Sequence, residues 1–77
     1  MTIEISIIEE FANAGDAVQH INAGGRGVAI QLKGRHLVVE QREAHRLEEA
    51  GVAFAYVHDH EMPDGTWRIV TVPVNND

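Results

Sequence analysis

The chain contains no cysteine, which excludes disulfides as well as thiolate-held zinc and iron–sulfur clusters. No apolar run approaches the roughly 20 residues of a membrane-spanning helix, and the chain does not open with the basic-then-apolar pattern of a secretory leader. A cytoplasmic protein without membrane association is expected. Catalytic chemistry also finds little to work with. Ser6 is the only serine, and it sits where a helix cap is needed. The adjacent carboxylates Glu9-Glu10 and Glu48-Glu49 read as helix surfaces. Gly24-Gly25-Arg26-Gly27 leads into a strand, whereas a phosphate cradle needs a helix N-terminus behind it; the run reads as a helix stop and linker. No catalytic set forms, so the expectation is a non-enzyme with no cofactor.

The sequence is 77 residues long, enough for a single domain and no second core. A domain of this size holds together by a margin on the order of 4–12 kcal/mol. Small chains often gain stability from disulfides, metals or self-association. With disulfides excluded, a homodimer becomes the more attractive arrangement. The composition, 44% apolar and 23% charged, is that of a globular protein rather than a disordered one.

The organising stretch is Val28–Glu40. Two apolar runs, Val28–Leu32 and Leu37–Val39, flank Lys33-Gly34-Arg35, the pattern of a tight β-hairpin whose glycine supplies positive φ. Before it, Thr2–Ile5 alternates like a short edge strand. Ser6 and Glu9 then have capping-box spacing, which predicts a helix over Ile7–Ala14. Gly15-Asp16 interrupts that helix, and a continuation to Asn22 keeps Phe11, Ala14, Val18 and Ile21 on one apolar stripe. After the hairpin, Gln41–Ala50 is rich in helix formers and stops at Gly51, with a thin apolar side of Ala44 and Leu47. Val52–His58 and Thr66–Val74 alternate around Met62-Pro63-Asp64-Gly65, a strong turn signal. Tyr56 and Trp67 read as core or cross-strand packing, and Asn75-Asn76-Asp77 as a frayed tail. The fold class predicted is α+β in the order β-α-β-β-α-β-β, a mostly antiparallel sheet with two helices packed on it.

Two groups of residues are candidates for function. Residues 1–25 carry Glu4, Glu9, Glu10 and Asp16 and no Lys or Arg, whereas Arg26, Lys33, Arg35, Arg42 and Arg46 cluster on and after the central hairpin against only Glu40 and Glu43. These five basic residues form a candidate face for DNA phosphates or an acidic protein partner. The plainer alternative is a solvated surface paired with the protein's own acids. His58 and His60 project from one face of a strand, as two metal ligands can, although a site needs further donors. The competing description is a solvated loop mouth. The function expected first is a small dimeric DNA-binding regulator using the five basic residues; the alternative is a small acidic protein–protein adaptor or inhibitor that pairs through the edge of its last strand or through its acidic ends.

Residues 3–50 also carry a set of short motifs in order: Ile5-Ser6 before a broken helix, Ile21-Asn22-Ala23-Gly24 at its end, Val28–Arg35 as a hairpin, and Glu43-Ala44-His45-Arg46-Leu47 in the next helix. In this order they resemble the N-terminal domain of the prevent-host-death (Phd/YefM) antitoxins. The resemblance implies a dimer that represses its own promoter through basic residues. In that family a C-terminal tail orders on a toxin. Here His36 stands where that family has a hairpin proline, a residue is missing before the second helix, and residues 51–74 read as a β-hairpin in place of the tail.

Overall fold

The structure, a computed structural model, describes residues 4–75. Its elements are β1 (Ile7–Phe11), α1 (Ala14–Asn22), β2 (Val28–Leu32), β3 (Arg35–Val39), α2 (Gln41–Glu49), β4 (Phe54–Glu61) and β5 (Trp67–Val74). Lys33 and Gly34 both have positive φ, 50° and 79°. A two-residue turn of this hand matches the twist of the strands it joins. It sets β2 against β3 with Ile30 opposite Leu37 and Ala29 opposite Val38.

All five strands form one antiparallel sheet in the order β1-β3-β2-β4-β5. The central pair is apolar on both faces because successive side chains alternate. Ile30, Leu37 and Val39 pack with Phe54 against Ala44 and Leu47 of α2. Ala29, Val38 and Val57 pack against Ala17 and Val18 of α1. The helices therefore cover opposite faces. The chain path explains this. α1 carries the chain from β1 to β2, and α2 carries it from β3 to β4, each stepping over one intervening strand in the same direction along the sheet. Because β1 and β3 point in opposite directions, two crossovers of one hand must lie on opposite faces.

The predicted element order holds, but its first part shifts. Thr2 and Ile3 lie outside the described residues, and Glu4–Ser6 are not strand. The segment predicted to begin the first helix, Ile7–Phe11, is instead the edge strand β1. Adjacent β-branched residues such as Ile7 and Ile8 lose side-chain freedom in a helix, and as a strand the segment gains the backbone of β3 as its partner. The first helix starts at Ala14. Its cap is Asn13, whose Oδ1 accepts the Asp16 N–H at 2.8 Å, so Gly15 lies within the first turn rather than at a break. Ser6 caps nothing; its N–H is used elsewhere.

Both helices end in the same way. Gly24 and Gly51 take positive φ, and the N–H groups of Gly25 and Val52 donate to the carbonyls of His20 and Leu47, the Schellman arrangement. Asn75, expected in a frayed tail, closes the second of these ends. Its side-chain amide donates to the carbonyls of Glu48 at 2.9 Å and Val52 at 3.2 Å, fastening the end of β5 to the end of α2.

Leu47 is fully enclosed where α2 meets the sheet. Leu47→Ala is expected to lower the unfolding free energy by about 2–5 kcal/mol, measured by urea denaturation followed by far-UV circular dichroism. A loss well below that range would mean that α2 does not seal this core.

Candidate functional site

The five basic residues do not form one patch. Arg26 lies in the loop before β2, and Lys33 and Arg35 lie at the far end of the hairpin, about 17 Å away along five residues of strand. Arg42 and Arg46 are on α2. Most of their charge is met within the chain. Arg26 pairs with Glu40 at 2.6 Å. Arg35 grips both carboxylate oxygens of Glu10, at 3.1 Å through Nε and 2.7 Å through Nη2, and the pair holds the Glu10 carboxyl low and the Arg35 guanidinium high. Arg46 bonds Glu43 at 2.9 Å. Arg42, with 83% of its side chain exposed, comes only within 4.0 Å of Glu43. Lys33 forms no ion pair among the described residues.

Glu43 is the residue that composition did not single out. It is the one charged side chain buried among the described residues, 5% exposed. It occupies the third position of α2, where a carboxylate commonly reaches back to its own cap. Glu40 makes no side-chain cap bond, and Glu43 instead accepts the Ser6 N–H at 3.0 Å. The segment leading into β1 is thereby tied to the start of α2. The Ser6 N–H, then the Arg46 and Arg42 charges, hold the Glu43 carboxyl below the usual carboxylate range against the opposing effect of burial. A signal existed in the sequence: Glu43 lies four residues before Leu47, on the same side of the helix.

His58 and His60 do share a face of β4, as strand alternation requires. Both are exposed. Val70 and Arg68 stand opposite them on β5, and a guanidinium beside His60 disfavours a cation. Among the described residues no three His, Asp or Glu side chains converge as a metal site would need. A cleft of about 260 Å³ between α1 and β4 is lined by apolar side chains including Val18, Ile21 and Val57. Asn22, at the end of α1, spans to Asp59 of β4 at 2.8 Å. These two polar groups are spent on each other.

The most distinctive surface is the outer half of the β4–β5 arm. β4 pairs with β2 only at Ile30–Tyr56 and Gln31–Ala55, then runs on beyond it, which stretches the molecule to 44 × 27 × 20 Å. Trp67 pairs with Glu61 rather than packing in the core and is 61% exposed; Ile69 is 43% and Val72 48% exposed. The turn sets which backbone groups are free. Met62 N–H donates to Thr66 O at 2.7 Å and Gly65 N–H to Met62 O at 2.9 Å, with Gly65 at φ 89°, a turn followed by a glycine bulge. Asp64 Oδ1 accepts from the Thr66 hydroxyl and N–H, which holds its carboxyl low.

Counting from the bonded pair Met62–Thr66, antiparallel alternation makes His60–Arg68, His58–Val70 and Tyr56–Val72 bonded pairs. The N–H and C=O groups of Trp67, Ile69 and Thr71 then point away from β4. Pro73 falls in the same outward set, where the missing N–H leaves β4 no gap. The opposite edge of the sheet differs. β1 has a register shift between Ile7 and Glu9 and carries Glu9 and Glu10, devices that discourage pairing.

Among the described residues no helix is long and apolar enough to cross a membrane. Compared with known proteins, the chain matches no family model, no curated protein and no solved structure.

The Glu43 linkage has a defined pH signature. A carboxyl whose pKa is lowered by folding adds stability above its unfolded pKa, about 4.3 for Glu, and that stability is lost as pH falls through the folded value. Glu43→Gln is expected to melt several degrees below wild type near neutral pH, and the gap is expected to close on acidification past that range. Glu10 and Asp64 contribute with the same sign in both proteins, so the difference between the two melting curves isolates Glu43. A gap independent of pH, read by scanning calorimetry, would show that its charge is not what the linkage uses.

Proposed function

We propose that this protein is a non-enzymatic binding module that receives an extended strand of a protein partner along β5. The carrying observation is the open edge itself: outward-facing backbone groups on Trp67, Ile69 and Thr71, flanked by exposed apolar side chains, with Arg68 the only charge on the strand. Backbone pairing supplies affinity in such an arrangement, and the alternate side chains supply selectivity. The edge is also held in place. Asn75 fastens its end to α2, and Asn22 braces β4 from α1, so a partner meets a strand already ordered for pairing.

A second reading is a dimeric regulator of the prevent-host-death kind that contacts DNA phosphates. It is supported by Lys33, free of ion pairs among the described residues, and by the largely exposed Arg42, which leave some positive charge on the hairpin tip and on α2. The pairing of Arg26, Arg35 and Arg46 with acids of the chain lowers what that face offers to phosphate, and so we rank it second.

The two readings separate experimentally. A photo-crosslinking amino acid placed at Ile69 is expected to give a discrete covalent adduct in the cells that make the protein, whereas one at the exposed helix position His45 is not. Absence of any adduct at Ile69 would overturn the edge reading. For the second reading, amide NMR with generic duplex DNA at low salt would show shifts confined to Arg26–Arg46 that vanish as salt rises. An unchanged spectrum would remove it.

A further inference from the structure

We infer that the strand received by β5 is β5 of a second copy of this chain, paired antiparallel about a twofold axis beside Val70, so that two five-stranded sheets become one. This rests on the reading of β5 as the binding edge and goes further by naming the occupant and the register.

The register follows from backbone alternation, charge and the length of the strand: an axis through Thr71 or Val72 also separates the arginines, but it leaves Trp67 beyond the Val74 end of the copy and brings Pro73 inside the ladder. In self-pairing, the outward residues Trp67, Ile69, Thr71 and Pro73 must face outward residues of the copy. An axis through Arg68 would set the two guanidinium groups face to face. An axis through Ile69 would leave them diagonal neighbours, about 7–8 Å apart. With the axis beside Val70, they stand four residues apart along the strand direction, about 13 Å, and each Arg68 lies opposite Val72 of the copy. Ile69 then exchanges both backbone bonds with Thr71 of the copy. Trp67 donates to the Pro73 carbonyl, and the bond that Pro73 cannot return falls at the end of the ladder, where water reaches the Trp67 carbonyl.

Side chains fit the same register. On one face Trp67 meets Pro73 of the copy and Ile69 meets Thr71. On the other, Val70 meets Val70 and Val72 covers the stem of Arg68. The exposed large apolar side chains of β5, Trp67, Ile69 and Val72, each gain a neighbour across the axis.

The other edge argues for this closed pair. Joining β5 to β1 of another copy would be head-to-tail and would not close. The register shift at Ile7–Glu9 and the carboxylates of Glu9 and Glu10 also oppose it. A single strand-to-strand contact falls at the low end of specific interface sizes, below about 1,200 Å², so the dimer is concentration-dependent rather than permanent.

Sedimentation equilibrium of the intact chain tests the inference. Its average mass is expected to rise with concentration from that of the 8.5 kDa monomer toward twice that value. Val70→Lys and Val70→Glu, each alone, place like charges opposite each other at the axis and are expected to raise the dissociation constant about tenfold or more. An equimolar mixture of the two is expected to dimerise again as a heterodimer, which a misfolded variant does not do. If Val70→Glu alone tightened the dimer, Val70 would be facing Arg68 and the axis would be misplaced. If the wild type stayed monomeric at every concentration, the second copy would be excluded. An adduct at Ile69 with a different protein would then leave the edge reading standing without this occupant.

Discussion

The structure depends on one constraint: the β2–β3 hairpin is apolar on both faces. A two-stranded hairpin is not stable alone in water, and Ile30, Leu37 and Val39 on one side and Ala29 and Val38 on the other each need a cover. α2 and α1 are those covers. The Lys33-Gly34 turn sets the register that aligns the two apolar sets, and a slip by one residue would send each set to the wrong helix. The remaining strands extend this sandwiched pair. β1 joins β3 on one side and β4 joins β2 on the other. Because only the centre is covered twice, exposure increases outward along the sheet.

That gradient gives the two edges different characters. β1 is short, has a register shift, and spends Glu10 on Arg35. β5 is eight residues long, almost uncharged and anchored near its end by Asn75. Val74, near the end of β5, packs against the core on the α2 side, whereas Trp67, Ile69 and Val72 stay exposed and belong to neither core cluster. In a small domain with no disulfide to compensate, an uncovered apolar strand is either a liability or a contact surface. The orderly alternation of its free backbone groups, together with the placement of Pro73, fits the second.

The charged residues mostly serve the fold. The excess of basic residues on the central stretch balances acids that neighbouring strands and helices bring near it: Glu40 for Arg26, Glu10 for Arg35, Glu43 for Arg46. Glu43 goes beyond a surface pair. Its burial is tolerated because a backbone N–H and a guanidinium satisfy it together, and the bond to Ser6 fixes where the chain enters the sheet. Of the five basic residues grouped along the chain, three are paired with the chain's own acids in the structure.

Much of this was determined by the sequence alone, through interactions between near neighbours. The central hairpin, the second helix, the Pro63-Asp64-Gly65 turn and both glycine helix ends depend on residues a few positions apart, and all were legible. The element order was legible too. The identity of Ile7–Phe11 was not: its apolar residues suit a helix period, and only pairing with β3, distant along the chain, made it a strand. Tertiary structure likewise decided that Glu43 is buried, that Trp67 is exposed, that Asn75 caps a helix from 27 residues away, and that the five basic residues do not form one patch. Each depends on which segments meet across the sheet, a long-range outcome that local periodicity does not encode.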